Sequence, residues 1–61
     1  MDNGNRDVII YFADMHRPPE VHRDLPPARA RELELRFETD PDVNQTRSVP
    51  AGCADAELGQ A

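Results

Sequence analysis

The sequence predicts a small α+β fold, with one structured unit over residues 1–43 and a flexible tail over 44–61. Three observations carry that expectation. The unbroken apolar run Val8-Ile9-Ile10-Tyr11-Phe12-Ala13 has the length and the β-branched and aromatic content of a strand. A block rich in helix formers begins at Ala28, directly behind a proline pair. Beyond Asp40 the apolar pattern stops.

The strand at 8–13 is the clearest element. Its apolar residues are consecutive and do not alternate, so both of its faces require cover. In a chain of 61 residues such cover is scarce. Residues 14–27 read as a proline-rich loop, because Pro18-Pro19 and Pro26-Pro27 remove four backbone donors and push their predecessors toward extended geometry.

Two readings compete over 27–39. In the first the whole segment is a helix with Ala30, Leu33 and Phe37 on one face, Glu32 four residues before Arg36, and Asp40-Pro41 as the stop. In the second a short helix at 27–32 gives way to a strand at 33–39, where Leu33-Glu34-Leu35-Arg36-Phe37-Glu38-Thr39 alternates with the period of a half-buried strand. The strand gathers Leu33, Leu35 and Phe37, whereas the helix leaves Leu35 off the stripe. Turn and coil residues dominate from Asp40 on, and only Val43, Val49 and Leu58 remain as apolar anchors.

Composition limits both stability and function. Leu, Ile, Val and Phe supply 12 of the 61 residues, and the formal charge is −5. That combination stands near the border of autonomous folding, and points to a partly folded monomer, an oligomer, or a subunit completed by a partner. The charge is spread as four acids and three arginines over 1–23, six acids and four arginines over 24–47, and two acids with no base over 48–61. No basic stripe results, which argues against nucleic acid. The apolar run of six residues is far shorter than the roughly 20 needed to span a bilayer, and no basic n-region precedes it. With a lone cysteine besides, the expected setting is a soluble, cytoplasmic one.

No motif specifies a chemistry. His16 and His22, with Asp14 and Asp24 beside them, form a conceivable ligand set, but their spacing matches no usual metal site. Asp40-Pro41-Asp42-Val43-Asn44 opens like a calcium loop and then fails, with Gln45 in place of the turn glycine and Ala51 in place of the bidentate glutamate. Cys53 and Ser48 have no evident base to activate them, and the glycines are isolated. The expectation is therefore a chain without catalytic activity, metal or cofactor.

Two functions from different classes fit these residues. The first is a small acidic interaction module, whether accessory subunit, inhibitor or adaptor, that contacts its partner through Ile10, Phe12, Leu33, Leu35 and Phe37. The second is a ribosomally made precursor, with a leader at 1–47 and a processed segment that contains Cys53.

Overall fold

The computed structural model describes residues 4–59. Its elements run β1 (Arg6–Phe12), β2 (Glu20–Leu25), α1 (Pro27–Glu38), β3 (Val43–Pro50) and α2 (Ala54–Leu58). The strands form one antiparallel sheet in the order β2-β1-β3. The α+β class expected from sequence is present.

The central place of β1 follows from its composition. Val8, Ile9 and Ile10 are fully buried although they point alternately to the two faces of the sheet. Val8 and Ile10 pack with Ala30 of α1, joined by Phe12, Leu25, Leu33, Phe37 and Val43. Ile9 packs on the other face with Val49 and with Ala54 of α2, next to Tyr11 and Val21. The chain thus supplies cover for both faces of its apolar strand.

The segment 14–27 is not a continuous loop. Residues 20–25 form β2, pairing Val8 with His22, Ile9 with Val21 and Ile10 with Glu20. The proline pairs stand just outside this strand, where they interrupt no ladder bond, and β2 is an edge strand that tolerates prolines at its ends. An irregularity between Arg6 and Val8 accommodates Asp24 at φ 56°. The true turn is 13–19, held by an Asp14 side chain that accepts from the His16 N–H at 2.9 Å.

Over 27–38 the helix prevails. Pro26, at ψ 151°, precedes Pro27 in the first turn, where a missing N–H costs nothing. Ala30, Leu33 and Phe37 face the sheet, while Leu35 is left 59% exposed. The strand alternative for 33–39 fails because both edges of β1 are already taken by β2 and β3. The helix ends where the Asp40 N–H donates to the Phe37 carbonyl at 3.1 Å, ahead of Pro41.

The expected flexible tail over 44–61 also needs correction. Its first part belongs to β3, which runs beside β1 from Phe12↔Val43 to Arg6↔Pro50, and residues 54–58 form α2; residues 60–61 lie outside the described residues. The strand was hard to read because the register shifts between Tyr11 and Phe12. Val43 and Val49 would share a face in a regular strand. The shift sends Val43 to the α1 side and Val49 to the α2 side, which erases the alternation.

Candidate functional site

The residues expected at a partner surface divide three ways. Ile10 lies wholly inside the core beneath α1, out of a partner's reach in this fold. Phe12, Leu33 and Phe37 are half-buried around the same core. Leu35 stands on the outward face of α1, where Pro27, Ala28, Arg31, Glu32 and Leu35 border an open groove of about 430 Å³.

The other polar residues are dispersed. His16 is exposed in the β1–β2 turn, and the His22 ring contacts Glu20 Oε1 at 3.3 Å. Among the described residues no three His, Cys, Asp or Glu side chains gather as a metal-holding group. Asp40 Oδ1 accepts from the Asp42 N–H at 2.9 Å, closing a local turn. Cys53 is exposed at the N-terminus of α2.

Sequence reasoning missed the polar centre of the molecule, Asp7. This carboxylate is 1% exposed. Its Oδ1 accepts from the Asp24 N–H at 2.8 Å, and its Oδ2 from the Gly52 and Ala54 N–H groups at 3.0 and 3.2 Å. Three segments distant in sequence thereby meet on one side chain. The hydrogen bond from Asp24 lowers the Asp7 pKa most strongly; burial opposes it, and the donors at 54 and 52 together with the positive charge of Arg23 add to the lowering. Because no side chain of its own caps α2, Asp7 serves as an N-cap supplied by another element.

Two arginines hold α2 from either side. Arg23 of β2 bonds Asp55 at 2.8 Å, and Arg47 of β3 meets Glu57 at 2.9 Å. The hydrogen bond to Asp55, followed by that carboxylate's charge, raises the Arg23 pKa. These groups are architectural: they dock α2 over Ile9. A single acidic residue in front of an apolar run is the one sequence signal that could have pointed to Asp7.

The outer edge of β3 carries backbone groups that the sheet itself does not use. The Ala51 N–H donates to the Asn5 carbonyl at 3.1 Å, and the antiparallel register pairs Asp7 with Val49 and Ile9 with Arg47. Strict alternation then turns the backbone groups of residues 45, 47 and 49 toward β1 and those of Thr46 and Ser48 away from it. Among the described residues no strand pairs with that outer edge. Its far end is closed by Pro50, which lacks a donor, and by Arg6, whose guanidinium bonds the Ser48 hydroxyl and, at 3.0 Å, the Ser48 carbonyl. The near end is open. A groove of about 160 Å³ runs along it between Phe37 and Glu38 of α1 and residues 43–46 of β3.

The edge of β2 differs. Its outward groups fall on Val21 and Arg23 by the same alternation, the strand is bounded by Pro18-Pro19 and Pro26-Pro27, and the groove of about 370 Å³ between it and α1 is bordered by His22 and Arg29, with no acid among its lining residues. Comparison with protein-family models, with characterised proteins and with solved structures finds no match.

Proposed function

We propose that this chain is a small acidic protein–protein interaction module, an accessory subunit, inhibitor or adaptor, that engages a larger protein through the β3 edge and the α1 surface beside it. The observation that carries this reading is the open half of β3. There the backbone groups of Thr46 point outward beside a groove floored by Phe37 and Val43, the combination by which strand addition achieves both affinity and selectivity. Leu35 is exposed separately, on the outward face of α1. Of the side chains expected at the interface, Phe37 and Leu35 keep that role; Ile10 acts from within by holding α1 in place.

The precursor reading, with its leader at 1–47, finds less support. Residue 47 lies in the middle of the β1–β3 ladder, and Ala54, beyond the cut, belongs to the core over Ile9. Photo-crosslinkers placed at positions 35 and 46 in the cells that make the protein test the interaction. A complex of fixed stoichiometry that survives gel filtration is the expected result. An uncrosslinked 6.9 kDa chain from both positions would overturn the module, and a shortened or mass-shifted chain would restore the precursor.

A further inference from the structure

We infer that the occupant of the β3 edge is an extended, basic segment of a partner protein, which adds as a short antiparallel fourth strand opposite Thr46 and sets one apolar side chain into the groove between Phe37 and Val43. The inference rests on the interaction-module reading and deepens it by naming the ligand's chemistry. Three features select that chemistry.

Backbone geometry comes first. Thr46 directs both its N–H and its C=O outward, so one ligand residue can exchange two hydrogen bonds with it, and the Ser48 N–H offers a third. The Ser48 carbonyl is already held by Arg6, and Pro50 has no N–H to give. The added ladder is therefore short and centred on Thr46.

Side-chain chemistry follows from the groove. Side chains of a strand opposite Thr46 alternate between the two sheet faces, and the α1 face offers the half-buried Phe37 and Val43. An aliphatic or aromatic residue fits there. The same groove is bordered by Glu38, and residues 34–42 hold Glu34, Glu38, Asp40 and Asp42 against the single base Arg36. The α1 carbonyls end here too, adding the negative pole of the helix. A lysine or arginine two positions from the apolar residue, on the side toward Asp42, meets this field.

A second copy of the chain is the poorer occupant. Each copy carries −5, and symmetric pairing about Thr46 would call on the Ser48 carbonyl of both edges, which Arg6 already holds.

Panning a phage-displayed random heptapeptide library on the folded chain tests the inference, with selected peptides then titrated into the labelled protein. The expected peptides carry an apolar residue with Lys or Arg two positions away, and they slow hydrogen exchange at the Thr46 and Ser48 amides. Thr46→Pro removes the outward donor at an edge position where proline is tolerated and weakens binding about tenfold, the worth of one backbone hydrogen bond, whereas Thr46→Val, which changes the side chain and keeps the donor, leaves binding within about twofold. Glu38→Lys, which leaves the backbone groups in place, weakens binding of the basic peptides as well. Peptides that shift Ala28, Arg31 and Leu35 instead would leave the module standing and overturn the β3 site. Absence of enrichment, or binding indifferent to both Thr46→Pro and Glu38→Lys, would also overturn it. A dimer in sedimentation with Thr46 protected before any peptide is added would make the second copy the occupant and refute the basic ligand.

Discussion

Asp7→Asn is the substitution that most directly tests how this small fold is held. The carboxylate accepts one N–H through Oδ1 and two through Oδ2. Asparagine keeps a single acceptor oxygen and turns an NH₂ group toward at least one of those donors. If the amide oxygen faces residues 52 and 54, the Asp24 bond is lost; if it faces Asp24, both bonds to the α2 segment are lost. Bonds to a charged acceptor contribute roughly 1.5–3 kcal/mol each, so the variant should be destabilised by about 2–4 kcal/mol. A chain of this length has on the order of 3–9 kcal/mol in all, and the midpoint of thermal unfolding should fall by roughly 10–30 °C. Urea denaturation followed by circular dichroism measures the difference. The effect should also depend on pH with a definite sign. Asp7 has its folded pKa below the ordinary 3.8, so its stabilisation is present above the unfolded value and is lost as pH falls through the folded one. The gap between the two proteins should accordingly be full at neutral pH and close in acid. A loss under about 0.5 kcal/mol at neutral pH, the size of an ordinary surface change, would refute the assignment of Asp7 as the anchor.

Further outcomes follow from packing and exposure. Ile10→Ala, at a fully buried site, should cost about 2–5 kcal/mol in denaturation; a near-neutral result would mean that α1 does not cover β1. Leu33→Ala should cost about 1–3 kcal/mol while Leu35→Ala costs less than about 0.5, and equal losses would favour the strand over 33–39 rather than the helix. Cys53, exposed in the native chain, should react with a maleimide at a rate that stabilising osmolytes leave unchanged. A rate that falls with added osmolyte would show that the thiol is reached only through unfolding.

The sequence made some elements legible and hid others for physical reasons. The run at 8–13 was readable because a central strand covered on both faces has to be apolar at consecutive positions, and its need for double cover was itself correct. The helix face of Ala30, Leu33 and Phe37 was readable as well, although local pattern could not choose between helix and strand. That choice depended on whether β1 had a free edge, a tertiary fact. β2 was concealed by prolines that frame the strand without entering it. β3 was concealed by the irregular register that separates Val43 from Val49. Of the β3 groove, Phe37 was legible as a contact residue and Val43 as an apolar anchor. The outward backbone groups of Thr46 and Ser48 were not, because no side-chain pattern encodes their direction. Asp7 escaped notice because its partners lie 17 to 47 positions away.

The order β2-β1-β3 has a consequence in time as well as in space. The β1–β2 hairpin is local and can close early, whereas β3 reaches β1 only after a loop that includes all of α1 has been brought round. In any species whose hairpin has closed before β3 docks, one flank of Val8-Ile9-Ile10-Tyr11-Phe12 stands bare, an apolar run suited to intermolecular β pairing. Refolding from denaturant should therefore lose yield as protein concentration rises, while the folded chain, its central strand sealed on both sides, stays soluble at the same concentrations. The strand that completes the sheet also acts as the chain's own guard against self-capture.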